Sequence, residues 1–457
     1  MVFCMKKVLK KIGKCIAVFL ATVIGILAVL CVITLIWGGV QCSRGDVYNL
    51  LPSVPQDFTP TIRLVVMTDS HHKYDRCADA IDTAYGLFDT AKPYAGVDAF
   101  VDLGDFSSIG EKDAYVEYAG VLREHVRPET PMIVIHGNHE FKQADDYPAY
   151  YDETFGATFG TERNSVTEIN GFSLIAFSGD RGLTEWTFTP SSLKWYSNAI
   201  KEAEKTADGK AIFTFQHPHP WGTVYGSTVW GDPQINCVLN GHTNVVNFSG
   251  HSHFPLNDPR SINQATYTAV GCGAMASFEL DNNGIVGQHP ERYDTAAEFC
   301  VVEADNDGSV RIRGYDLNSD TFFCDYYIDN VNDRDSFPYT VKNMKAHDGA
   351  PVFGPDTAAT AVRDENGEWV VSFDEPHVGE GYIVHEYKIR IKDEAGKTVS
   401  NKNLINDYYF IDGDGKAQFH YGADVLEAGK TYTMTIRAES AYHFHSEPIE
   451  LTFTAAE

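Results

Sequence analysis

The sequence is short of cations, of paired cysteines and of repeats. Lysine and arginine together number 36 against 63 aspartates and glutamates, a formal net charge of −27. So acidic a surface repels a phosphodiester backbone and argues against any nucleic-acid polymer as partner. An anionic substrate would need a local source of positive charge, and metal can supply it. Beyond Cys42, the cysteines at 77, 237, 272, 300 and 324 show no close pairing, so neither a zinc knuckle nor a disulfide framework is implied. They read as small buried hydrophobes. No internal repeat or low-complexity tract is present.

What is there begins with an apolar run. Ile16 to Trp37 carries no charged side chain and at helical rise reaches roughly 33 Å, enough to cross a bilayer. Lys6, Lys7, Lys10, Lys11 and Lys14 precede it, which predicts a cytoplasmic N-terminus with the rest of the chain outside. The run exceeds the ~7–15 apolar residues of a cleaved signal peptide, so an uncleaved single-pass anchor is the preferred reading. Gly38 to Pro60 reads as a linker, punctuated by Pro52, Pro55 and Pro60. The chain thus divides into a basic tip, anchor and linker over 1–45, a catalytic domain over 58–345 and a small domain over 350–457.

Between the linker and about Ala346, strand-like and helix-like segments alternate. Thr61–Thr68, Ala99–Leu103, Pro131–His136, Phe172–Ser178 and Ala211–Gln216 are apolar strand runs. Tyr74–Lys92, Lys112–Glu124 and Ser191–Ala207 have helical periodicity. This alternation predicts an α/β sheet with helices on its faces. After Ala346 the period changes to two, in Trp369–Phe373, Glu386–Asp393 and Thr431–Glu439, with Asn366-Gly367 as a hairpin signal. A small all-β sandwich is expected there, and LEAGKTYTMTIRAES…SEPIELTFT resembles the closing strands of a fibronectin type III module.

Five short blocks each follow a strand-like run: Asp69-Ser70-His71, Gly104-Asp105, Gly137-Asn138-His139-Glu140, His217, and Gly250-His251-Ser252-His253. Ligands collect at the carboxyl ends of strands in α/β sheets, so these loops are placed to converge. Imidazole, carboxylate and amide oxygen together suit manganese, iron, zinc or similar ions. A carboxylate such as Asp105 can bridge two of them and so build a clamp for displacement at phosphorus.

The order D-x-H, GD, GNHE, H, GHxH resembles the calcineurin-like metallophosphoesterase superfamily over residues 60 to 345. The resemblance implies a four-layer α/β/β/α sandwich and hydrolysis of phosphomonoesters or phosphodiesters by a metal-bound hydroxide. It implies two divalent metal ions, one held by Asp69, His71 and His253, the other by Asn138, His217 and His251, with Asp105 bridging. His139 would face the substrate phosphate, stabilising the transition state or protonating the leaving oxygen. Ser108 stands where purple acid phosphatases carry the iron-binding tyrosine, so a ferric-tyrosinate centre is not expected.

Several residues compete with these. His219 rivals His217 in Gln216-His217-Pro218-His219, though the strand end favours His217. His72 and His136 read as outer-shell support. Gly241-His242 and His443-Phe444-His445 lack partners, and Asp305-Asn306-Asp307-Gly308 and Asp412-Gly413-Asp414-Gly415 lack the late glutamate of a calcium loop. Specificity is expected in Phe141–Gly160, Asp180–Thr189 and Trp221–Asn236, with Trp186, Trp221 and Trp230 as stacking candidates. The competing functions are a pyrophosphatase on nucleotide or lipid-linked diphosphates, and a non-catalytic module whose C-terminal domain binds a cell-envelope partner.

Overall fold

Two six-stranded sheets face one another and carry the ligand blocks on their parallel strands. The computed structural model describes residues 14, 18–25, 29, 47, 48 and 51–456, except 143–150, 181–187 and 411–414. In the first sheet the order is Thr321–Ile328, Val310–Asp316, Glu298–Ala304, Ile62–Met67, Ala99–Asp102, Met132–Val134, and the last three run parallel. In the second it is Ile262–Gln264, Thr268–Gly271, Val245–Ser249, Ile212–Phe215, Phe172–Phe177, Asn164–Ile169, with the four central strands parallel.

Alternation along each strand explains the layering. In Ile62–Met67 every residue is buried: Leu64 and Val66 enter the core between the sheets, whereas Val65 and Met67 point to the opposite face. A strand covered on both sides reads as a continuous apolar run, as the TIRLVVMT segment does. The inner core joins Leu64, Val66 and Val101 to Leu174, Phe213 and Phe248 of the second sheet. Outside the first sheet lie the helices Tyr74–Phe88 and Lys112–His125, presenting Cys77, Ile81, Phe88, Tyr115 and Tyr118. Outside the second lies Pro190–Thr206, which begins at a Thr189 cap whose hydroxyl accepts from the Ser192 N–H, with Pro190 in the first turn. The expected α/β/β/α order is therefore observed.

The C-terminal region is all-β, with seven strands in the order Thr398–Ile405, Val384–Lys392, Thr431–Ser440, Ile449–Ala456, Ala359–Arg363, Trp369–Asp374, Lys416–Tyr421. The Asn366-Gly367 signal lies in the turn joining Ala359–Arg363 to Trp369–Asp374, where Gly367 has φ 79°. Inward positions two apart, such as Tyr387, Ile389 and Ile391 against Tyr432, Met434 and Ile436, close a separate core around the buried Trp369. Gly45–Glu457, which holds both sheets and the C-terminal region, is one compact unit. Most of the 16–37 anchor segment lies outside the described residues, and among those described no helix is long and apolar enough to cross a membrane.

Trp369 is fully buried and its indole N–H donates to Leu426 O at 2.9 Å. Trp369→Ala is expected to cost about 3–5 kcal/mol of stability in the C-terminal region, read from denaturant unfolding.

Candidate metal centre

The ligand loops leave their strands in strained backbone. Five of the seven expected ligands have left-handed φ values: Asp69 (55°), His71 (40°), Asp105 (56°), His251 (72°) and His253 (56°). For residues with a Cβ this conformation persists only where the surroundings over-determine it. Backbone hydrogen bonds between loops do so here: Asp69 N–H donates to Gly104 O (2.9 Å), His71 N–H to Asp105 O (3.0 Å) and His72 N–H to Phe106 O (3.0 Å). Glycine makes the close approach possible. A Cβ on Gly137 would lie 2.0 Å from Asp105 Oδ1, and one on Gly250 would lie 2.0 Å from Thr68 Oγ1.

Each aspartate commits one oxygen to the scaffold and turns the other inward. Asp69 Oδ2 accepts from the Thr68 hydroxyl (2.7 Å) and the His251 N–H (2.9 Å), leaving Oδ1 at 3.1 Å from His253 Nε2. Asp105 Oδ1 accepts from the His139 N–H (2.8 Å), leaving Oδ2 at 3.1 Å from His217 Nε2. The histidines are fixed from behind in the same way. His217 Nδ1 donates to Leu103 O (2.9 Å) and His253 Nδ1 to Ser277 O (2.9 Å). A carbonyl can only accept, so in the neutral ring Nε2 presents its lone pair to the centre. His71 Nε2 lies 3.3 Å from His253 Nε2, and Asn138 Oδ1 lies 3.1 Å from His217 Nε2. His251 stands 5.2 Å from the His217 ring, edge-on to Trp230.

Three overlapping groups result, each with ligand atoms within 4.8 Å of one another: Asp69–His71–His253, Asp105–His217–His251 and His71–Asp105–His139. Acceptors gathered this closely repel unless a cation lies between them. Burial opposes a charged imidazole, yet the Asp105 and Asp69 carboxylates push His217 up to about 10, and Asp69 pushes His253 up to about 9. Burial likewise opposes charge on both aspartates, but the surrounding imidazoles hold each well below the usual carboxylate range. This donor set, carboxylate, imidazole and amide oxygen, fits divalent ions.

The neighbours sort themselves by contact. His219 is turned away, its two nitrogens bonded to Ser249 Oγ and Ser252 Oγ at 2.7 Å each. His72 accepts from the Ser108 N–H (3.1 Å), and His136 packs against Phe141 and Phe155. His242 pairs with Glu204, His443 and His445 with Glu439, and Asp305 caps its own turn. Residues 412–414 and Trp186 lie outside the described residues. Two supporting residues are given no role by the sequence reading. Buried Glu140 accepts from the backbone N–H groups of Asp105, Ser107 and Gly137 and from the Ser107 hydroxyl, at 2.8–2.9 Å, tying two ligand loops together. Buried Asp102 accepts from Gly104 N–H (2.8 Å) and the Tyr118 hydroxyl. The GNHE spacing could have pointed to Glu140, since it places a carboxylate three residues after Gly137.

His139 is more open than His71 and His253. Its side chain is 25% exposed, Nδ1 donates to Ser108 O (2.6 Å), and Nε2 lies 3.8 Å from Asp105 Oδ2 and 2.9 Å from Lys142 Nζ.

Gly137→Ala is expected to weaken Mn²⁺ binding at least about 10-fold in calorimetric titration, since Asp105 must move. Gly120→Ala, where an added Cβ meets nothing within 4 Å, is the control. It should bind normally and gain about 0.5–1 kcal/mol of helix stability.

Comparison with known proteins agrees with this geometry. Residues 62–255 match the family model for calcineurin-like phosphoesterases. No protein of curated function is significantly similar to the chain. Among solved structures, a purple acid phosphatase from yellow lupin (Lupinus luteus) seeds is 12% identical over 60% of this chain, with a TM-score of 0.42; the chain spans 55% of its length. A cold-active protein-tyrosine phosphatase of a psychrophilic Shewanella species is 14% identical over 61% of this chain and 86% of its own, with a TM-score of 0.25. Likenesses this loose say nothing about activity. Residues 62–255 thus match the calcineurin-like phosphoesterase family, and all the ligand blocks lie within that span.

Proposed function

We propose that the chain hydrolyses phosphomonoesters or phosphodiesters at a dinuclear metal centre on the outer face of a membrane. The observation that carries this reading is the gathering of candidate ligand atoms within 4.8 Å in the groups Asp69–His71–His253 and Asp105–His217–His251, with Asn138 Oδ1 3.1 Å from His217 Nε2. Asp69, His71 and His253 would hold one ion, Asn138, His217 and His251 the other, and the inward Oδ2 of Asp105 would serve both. Bound divalent ions would acidify an attacking water and neutralise charge on the phosphoryl oxygens.

The protein's own groups do the rest. Burial opposes charge on Asp69 and Asp105, but the imidazoles around them, His253 and His217 foremost, hold both carboxylates well below the usual range and so ionised at neutral pH. Leu103 O and Ser277 O hold two of the imidazoles in the coordinating tautomer. His139, oriented by Ser108 O, would face the phosphate and stabilise the transition state or protonate the leaving oxygen. Lys142 adds positive charge at the same mouth of an otherwise acidic chain. The basic cluster Lys6–Lys14 ahead of the apolar run supports the outward orientation. We assign residues 58–345 to catalysis and 350–457 to a fibronectin type III-like sandwich, which the paired strands and central tryptophan support.

The test is a panel of chromogenic phosphomonoester, phosphodiester and pyrophosphate substrates with Mn²⁺. Turnover should vanish on chelation and return with metal. Asp105→Asn should lower kcat/KM by more than about 100-fold, beyond the loss typical of removing a second-shell partner. Full activity in Asp105→Asn would refute the shared-ligand mechanism. Turnover confined to pyrophosphate would replace ester hydrolysis by diphosphate cleavage.

A further inference from the structure

The surroundings of His253 are not completed by the catalytic sheets. His253 Nδ1 donates to Ser277 O, and His253 O accepts from Glu279 N–H at 3.1 Å, so the 277–279 segment runs alongside this residue. Phe254 and Phe278, neighbours of His253 and Ser277, are both buried. They belong neither to the core between the sheets nor to the cores beneath the helices. With Leu280 and Ala296 they form a small cluster that is closed by Tyr409, against which Ile405, Tyr408 and Phe410 also pack. Those four come from the C-terminal sandwich, at the end of the Thr398–Ile405 strand and just beyond it.

Polar contacts fix the same junction. The Tyr409 ring lies 5.0 Å from Phe278, and its hydroxyl donates to Glu291 O at 2.9 Å. Tyr408 O accepts from the Asn257 amide (2.7 Å), and its hydroxyl donates to Asp258 Oδ2 (3.1 Å). Asp258 is fully buried and also receives the Arg260 guanidinium at 2.6–2.8 Å. His385 Nε2, from the sandwich, meets Asp281 Oδ1 at 3.1 Å, one residue past Leu280. Both flanks of the His253 segment, 254–260 and 277–281, are thus held by side chains of the sandwich.

We propose that the C-terminal sandwich is a working part of the metal centre, with Tyr409 as a positioning residue for His253. Tyr409 seats Phe278, Phe278 sets the Ser277 carbonyl, and that carbonyl fixes the tautomer and direction of the imidazole. The inference rests on the reading of His253 as a metal ligand. It also assigns the sandwich a role beyond that of spacer or docking surface.

The experiment is Mn²⁺ titration by calorimetry on the full chain stripped of metal, with thermal melts in parallel. Tyr409→Ala should bind Mn²⁺ about 10- to 100-fold more weakly, as loss of an outer-shell support does. Tyr409→Phe, which keeps the ring and loses only the Glu291 contact, should bind like the wild type. In a His253→Ala background, Tyr409→Ala should add no further loss, because the two act through one ligand. A merely structural role would lower the melting temperature and leave the affinity of the folded protein unchanged, and that result overturns the proposal. If Tyr409→Ala does not fold, Tyr409→Leu replaces it, and wild-type affinity there overturns the proposal equally. Wild-type protein that binds no Mn²⁺ refutes the metal-centre reading itself, a result distinct from wild-type affinity in the Tyr409 variants.

Discussion

Electrostatic repulsion among inward-facing acceptors is the constraint on which the structure around the centre depends. Asp69 Oδ1, Asp105 Oδ2, Asn138 Oδ1 and the Nε2 atoms of His71, His217 and His253 face one another at 3.1–3.9 Å. Left alone, such groups would rotate away or take up protons. Four of them are held from behind by the backbone scaffold: His217 by Leu103 O, His253 by Ser277 O, Asp105 by the His139 N–H and Asp69 by the His251 N–H. The centre is preorganised, which is what lets charge stabilisation act without reorganisation during a reaction.

That demand explains features which local propensity would not produce. Left-handed backbone at Asp69, His71, Asp105, His251 and His253 is unfavourable for each residue alone. The loops adopt it because parallel strands deliver them side by side, where they bond to one another. Glu140 braces them, gathering three backbone donors and one hydroxyl from two loops onto a single buried side chain. Behind it, Tyr118 and Asp102 connect the Lys112–His125 helix to the turn at Gly104.

Much of this was legible in the sequence, for a physical reason. Candidate metal ligands are chemically specific and are sought where strands end, so Asp69, His71, Asp105, Asn138 and the GHSH block stand out by type and position together. Strand and helix positions followed from periodicity, including the shift to period two after Ala346. The supports were not legible. Leu103 and Ser277 act through backbone carbonyls, which every residue has, and Tyr409 acts across more than a hundred residues of sequence. Asp102 looked like the end of an apolar strand. His217 and His219 were separable only by what stands behind each ring: a backbone carbonyl for one, two serine hydroxyls for the other.

The hydrogen bonds from Asp69, His71 and His72 N–H to the 104–106 loop join backbone to backbone, and no ion takes part in them. The polypeptide therefore brings these two loops together by its own backbone, so the proposed metal site would already be shaped before an ion arrives.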